Sequence, residues 1–200
     1  YCFLWISLVL HTSPCGFGRT KQQPLSELRE RTGLALRKSA KGADGPKLNK
    51  DETKLVRDIA TASENRDWPT ARSLSSTYSG SAVQIYSAAM QAALRCREYE
   101  EGSQVFDRCE KNCDLINQPA FSVALRIFAK LKQSGRVQQI WENAMKIYEI
   151  DVFLGSARLA AAADLGDVEM AAGILDQMNA SNVSIDVYHI NSAMRACWGW

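Results

Sequence analysis

Apolar residues in the second half of the chain fall three or four positions apart, the spacing of a helix face, and these clusters themselves recur. Val83-Gln84-Ile85-Tyr86-Ser87-Ala88-Ala89-Met90 lines up with Gln118-Pro119-Ala120-Phe121-Ser122-Val123-Ala124-Leu125. Val152-Phe153-Leu154-Gly155-Ser156-Ala157-Arg158-Leu159 and Val187-Tyr188-His189-Ile190-Asn191-Ser192-Ala193-Met194 continue the series. The starts at 83, 118, 152 and 187 are separated by 35, 34 and 35 residues. Small residues (Ala88, Ala89, Ala124, Ala157, Ala193) stand where two helices must approach closely. A repeat of this length is the mark of stacked supersecondary units rather than of one globular domain.

Each unit carries a second amphipathic stretch after a break. Val105, Phe106 and Cys109 form it in the first unit. In the second, Ser134-Gly135-Arg136 precedes Val137, Ile140, Trp141 and Ala144; in the third, Leu165-Gly166-Asp167 precedes Val168, Ala171, Ala172, Leu175 and Met178. Asp167 after Gly166 suits a turn followed by a helix N-cap. No stretch sustains a period-two alternation, so strands are not expected. A weaker unit comes first, with Lys54-Leu55-Val56-Arg57-Asp58-Ile59-Ala60 as one helix and Asp67-Trp68-Pro69-Thr70-Ala71 opening another. Pro69 belongs there in a first turn.

The expected organisation is an N-terminal arm over 1–51, a degenerate or capping unit over 52–82, and full units over 83–117, 118–151 and 152–186. Residues 187–200 supply the first helix of a further unit, which implies a chain that continues. The predicted fold is all-α: an α-solenoid of helix-turn-helix repeats of about 35 residues, with a disordered N-terminal arm. One hairpin cannot offset an ordering cost of roughly 1–2 kcal/mol per residue, so neighbours must stack to bury both faces. Trp68, Trp141 and Trp198 are expected in that core or between units.

Charge changes the picture only when the chain is divided. The net charge is +2 overall, yet residues 1–50 carry +6 and residues 51–200 carry −4. The basic arm would attract a polyanion at long range, whereas the repeats are slightly acidic. An apolar run at 2–10 is too short to span a bilayer, which needs roughly twenty residues. It matches the core of a targeting segment in length, but no basic stretch precedes it and no clear cleavage site follows. No membrane span is expected.

The six cysteines and two histidines do not fall at zinc-ligand spacing, so no metal or other cofactor is expected. Cys96, Cys109 and Cys197 read as small apolar core residues. A glycine-rich phosphate loop, a nucleophile elbow and an HExxH motif are all missing from the sequence, so catalysis is not expected and no catalytic residue is assigned. No small-molecule substrate follows from the pattern.

Three of the four first helices open on a β-branched valine and the other on Gln118; they carry an aromatic or aliphatic residue at or near the fourth position, and place Ser87, Ser122, Ser156 or Asn191 at the fifth. With Gly166-Asp167-Val168-Glu169-Met170-Ala171 as a second helix, residues 83–200 resemble pentatricopeptide repeats, and 52–82 do so more distantly. Gly155 departs from that pattern, which usually has a bulky residue there. The resemblance implies single-stranded RNA binding at roughly one base per repeat, in the processing, stability or editing of mitochondrial or chloroplast RNA. It implies base-reading pairs Ser87 with Asn117, Ser122 with Asp151 and Ser156 with Asp186, with Asn191 lacking its partner. Such pairs would read adenine, guanine and guanine, then a pyrimidine at Asn191. Phe153 and Tyr188 would pack against bases, and Arg126, Arg158 and Arg195 would bring positive charge to the groove. The same serines and aspartates also suit helix starts and N-caps without any ligand. A protein-interaction scaffold, holding a peptide in the same face, is the alternative function.

Overall fold

The structure is a computed structural model that describes residues 48–198. The apolar run and nearly all of the basic arm expected over 1–51 lie outside the described residues. Among the described residues there are nine helices and no strand. They are α1 (Lys50–Glu64), α2 (Trp68–Ser76), α3 (Val83–Cys96), α4 (Tyr99–Asn112), α5 (Gln118–Lys130), α6 (Ser134–Ile147), α7 (Val152–Leu165), α8 (Val168–Ala180) and α9 (Val187–Trp198).

Several helices start where the sequence offers an acceptor for their free N–H groups. Asn49 and Glu52 form a reciprocal capping box on α1, with Glu52 N–H donating to Asn49 Oδ1 at 2.7 Å and Asn49 N–H donating to Glu52 Oε2 at 2.9 Å. Asp67 caps α2, with Pro69 in the first turn, and Asp167 caps α8 through the Met170 N–H at 2.9 Å. Gly166 ends α7 in the left-handed conformation at φ 74°, as the Gly166-Asp167 pair predicts.

The odd-numbered helices form one layer, in which α1 packs on α3, α3 on α5, α5 on α7 and α7 on α9. Even-numbered helices lie against their own hairpin partner and, for α2, α4 and α8, against the following odd helix as well; α6 touches α7 only sparsely. This difference in surroundings is written in the side chains. On α4 the buried stripe is Gly102, Val105, Phe106 and Cys109; on α6 it is Val137, Ile140, Trp141 and Ala144. Those steps of three and four leave the remaining faces for solvent. The middle odd helices are buried on far more of their circumference, and α5 buries every residue from 120 to 129 except Ser122 and Arg126. The architecture is therefore all-helical and repeat-like.

Small residues let the odd layer close. Ala89, Ala124, Ala161 and Ala162 are fully buried between neighbouring helices. Gly155 does the same for α8: a Cβ there would lie 2.6 Å from Met178 Sδ, so its lack of a side chain makes room for the thioether. At the α4, α5 and α6 junction, Phe106 meets Phe121 and Phe128 edge-on at centroid distances of 6.5 and 5.8 Å. The Arg136 guanidinium covers Phe106 and Phe128 from outside while pairing with Asp107 and Glu110. Burying one such ring contributes roughly 1.5–3 kcal/mol. Trp68 and Trp141 are core residues as expected, but Trp198 is 62% exposed on the last helix. Its indole is left outward because α9 presents Ala193 and Ala196, not Trp198, to the core.

Candidate nucleic-acid interface

Steps of three and four residues along each odd helix place one stripe per helix on a shared face. On α5 the stripe reads Pro119, Ser122, Arg126 and Lys130; on α7 it reads Phe153, Ser156, Ala160 and Asp164. Across α5, α7 and α9 these stripes border a largely apolar cleft of about 420 Å³, in which Ser122, Arg126, Phe153, Ser156 and Tyr188 are lining residues. Four of the residues singled out from the sequence, Ser122, Ser156, Phe153 and Tyr188, thus meet at one cleft. Both aromatic rings stand out from the protein, Phe153 at 75% and Tyr188 at 62% exposure, although aromatic residues at helical spacing usually enter the core. Ser122 Oγ lies at the cleft with no hydrogen-bond partner in the protein, whereas buried hydroxyls are ordinarily satisfied.

The cap residues of the predicted pairs all stand at helix starts. Asn117 Oδ1 accepts from the Ala120 N–H at 3.0 Å and receives the Ser87 hydroxyl at 3.3 Å, so this predicted pair is in direct contact. Asp151 Oδ1 accepts from the Leu154 N–H at 2.9 Å, and its other oxygen takes the Gln118 side-chain amide at 2.5 Å. Ser122 and Asp151 therefore do not touch through hydrogen bonds; Gln118 stands with Asp151 instead. Asp186 caps α9 through the His189 N–H at 3.1 Å, and this backbone hydrogen bond holds its carboxyl below the usual range. Asn191 is exposed on α9, on the same stripe as Tyr188 and Arg195.

Ser156 and Asp186 are joined through His189, a buried residue the sequence reading left unassigned. His189 Nε2 lies 2.9 Å from Ser156 Oγ, and its Nδ1 lies 2.6 Å from Asp186 Oδ1. The order serine, histidine, aspartate invites comparison with a nucleophile and base, but the hydroxyl proton is directed elsewhere. Ser156 donates to the Val152 carbonyl at 2.6 Å, within its own helix, and so faces the imidazole as an acceptor. The chain is a polar tie between α7 and α9.

Of the three arginines expected in the groove, Arg126 lines the cleft and Arg195 is exposed on α9. Arg158 is not in the groove. It is 2% exposed, its guanidinium donates to the Val137 carbonyl at 2.8 Å and to Gln138, and it lies over the Trp141 ring at 5.4 Å. Burial pushes its pKa down to about 10. Its place beside Leu154 and Ala161, at helical spacing, sends it inward towards α6.

A second cleft lies at the C-terminal ends of α1, α3 and α5. Arg66, Arg95, Arg97, Arg126 and Lys130 line it, against the one carboxylate of Glu64 among its described lining residues. Arg126 belongs to both clefts. Arg66 and Arg97 occupy the turns after α1 and α3 with φ of 56° and 66°, a left-handed conformation that usually calls for glycine or asparagine. Lys132 stands at the equivalent turn after α5 with φ 58°, and Gly166 after α7. On α7 the register of Arg95 and Lys130 is taken by Asp164, whose carboxylate holds Lys130 at 2.8 Å and Arg195 at 3.4 Å, while its carbonyl accepts from Lys132.

The sequence reading missed Gln118, His189 and this turn row. The row had a faint signal, since 66, 97, 132 and 166 advance with the repeat. Cys109 and Cys113 place their sulfurs 3.8 Å apart at the end of α4, and burial pushes the Cys109 thiol up, the setting of a packed rather than a reactive cysteine. Cys96 and Cys197 are half-buried. No group of three or more potential metal ligands occurs among the described residues, and none of their helices is long and apolar enough to cross a membrane. No protein-family model matches the chain, and no curated protein matches it.

Proposed function

We propose that the stacked hairpins form an α-solenoid of pentatricopeptide type and that its odd-helix face binds single-stranded RNA. The observation that carries this reading is the common cleft of Ser122, Ser156, Phe153 and Tyr188, drawn from the successive odd helices α5, α7 and α9 and flanked by Arg126. Exposed rings offer stacking surfaces for bases, a contact worth about 1–3 kcal/mol per base. Ser122 Oγ is buried beside the cleft without a partner, so its hydroxyl reaches a base edge by turning its side chain. Arg126 and the adjoining cations offer neutralisation of phosphates, so the −4 balance of residues 51–200 does not describe this face. The resemblance further suggests work on mitochondrial or chloroplast RNA.

Base reading by the caps is compatible with capping. A carboxylate has about four acceptor positions, of which Asp151 gives one to the N-cap and one to the Gln118 side-chain amide. Fluorescence anisotropy with single-stranded RNA pools tests the reading: purine-rich RNA containing AGG is expected to bind best, and more weakly as salt rises. A protein-interaction scaffold is the second reading, favoured by the acidic balance of residues 51–200. Equal indifference to RNA sequence, strandedness and salt would favour it.

A further inference from the structure

The even helices have a cleft of their own. Both α2 and α4 pack on α3, and a space of about 400 Å³ lies between them. Trp68 and Arg72 of α2 line one side, and Glu101, Arg108 and Lys111, on one stripe of α4, line the other. None of its lining residues belongs to the two clefts on the odd helices.

Two independent observations single this cleft out. Trp68 is 7% exposed, yet its indole N–H has no hydrogen-bond partner in the protein. Buried donors ordinarily have one. The other observation is charge. Glu101 pairs with Arg72 at 2.9 Å and Asp107 with Arg136 of α6 at 3.1 Å, so both lining carboxylates are taken. Arg108 and Lys111 form no ion pair among the described residues. Arg108 reaches across to the Ser75 carbonyl at 3.4 Å, a long hydrogen bond. The junction of α4 with α6 is different: Arg136 pairs there with Asp107 and Glu110 while it covers two phenylalanine rings. Between α4 and α6 the cation is neutralised within the protein, and between α2 and α4 it is not.

We propose that this cleft binds an acidic peptide segment of a partner protein, whose carboxylate enters beside Arg108 and Lys111 and accepts the Trp68 N–H. The indole nitrogen is closed off from solvent, so entry requires a lining side chain to move. Arg108 is suited to move, because a carboxylate replaces its long contact with a charge-assisted hydrogen bond. An acidic peptide fits better than a nucleic-acid strand. Glu101 and Asp107 border the cleft and would repel a continuous row of phosphates, whereas a peptide brings N–H groups that suit them. The proposal does not depend on the RNA reading and leaves the odd-helix face open.

The test is an NMR titration of the isotope-labelled full chain with an acetylated, amidated peptide of alternating glutamate and glycine. The same peptide with glutamine for glutamate is the control. The Trp68 indole N–H resonance, identified by its loss in Trp68→Phe, is expected to move downfield and saturate with the glutamate peptide alone. Arg108→Gln and Lys111→Gln are each expected to weaken binding roughly threefold to tenfold. Lys146→Gln, which removes an exposed cation of α6 outside the cleft, is expected to leave it unchanged. An indole resonance that stays in place at millimolar peptide overturns the proposal. So does an equal response to the glutamine peptide, a loss in Lys146→Gln as large as in the cleft variants, or binding that neither cleft variant weakens. A response to oligouridine in place of the peptide also overturns it and gives this cleft to nucleic acid.

Discussion

The stripes on α3 and α5 differ from those on α7 and α9, although the four helices repeat one pattern and share one layer. The first pair presents Gln91, Arg95, Arg126 and Lys130, polar and mostly cationic. The second presents Phe153, Ser156, Ala160 and Asp164 on α7 and Tyr188, Asn191 and Arg195 on α9, with two exposed rings and a carboxylate that pairs with Arg195 and with Lys130 of α5. Repetition fixes where side chains stand, but each copy is free in what it presents. The two halves therefore make separable contributions, one set by charge and salt, the other by surface contact.

The largest expected effect is on the scaffold that keeps the halves in register. Phe106→Ala removes the ring shared by α4 and α5, and urea denaturation should show a loss of about 3–5 kcal/mol. A smaller loss would mean that α5 holds its place without the outer helix. Next come the aromatic residues. Phe153→Ala or Tyr188→Ala should each weaken RNA binding by about 1–3 kcal/mol with the salt slope unchanged, and with little change in melting temperature because both rings are exposed. Arg126→Gln should behave in the opposite way, reducing the log–log salt slope by about 0.7. If the aromatic and cationic variants moved affinity and slope alike, the distinction between the halves would collapse. Asp151→Ala should cost about 1 kcal/mol of stability through the lost cap. Any further change confined to one base of the RNA would show reading added to capping.

The smallest effect concerns pH. The folded-state pKa of Asp186 is depressed by the His189 N–H, so the stability it contributes is present above the ordinary aspartate range and is lost as pH falls through the folded value. The Asp186 carboxyl signal in an NMR titration should have its midpoint below that of an ordinary aspartate. A midpoint at the ordinary value would remove this tie from the account of α9.

Helix positions were legible because burial imposes a period on the apolar residues, and caps were legible because Asp151, Asp167 and Asp186 precede those stripes. Phe153 and Tyr188 could be placed on the open face only by their register in the repeat, since hydrophobicity alone sends such rings inward. Arg158 was misplaced because its charge was weighed above its spacing. It falls on the stripe of Leu154 and Ala161, and the indole of Trp141 with two oxygen acceptors receives it. The turn cations were illegible for a related reason. A left-handed residue announces itself as glycine or asparagine, and Arg66 and Arg97 give no such sign. Net charge concealed the cationic cleft because it averages over faces that no ligand meets together.

Most direct for the central claim is the affinity of the full chain for single-stranded RNA at two salt concentrations, with Phe153→Ala and Arg126→Gln measured beside it. The account predicts salt-sensitive binding, in which the first variant loses affinity at both salts and the second loses it chiefly at low salt. A helical, cooperatively melting protein that binds no single-stranded RNA at either salt would contradict it.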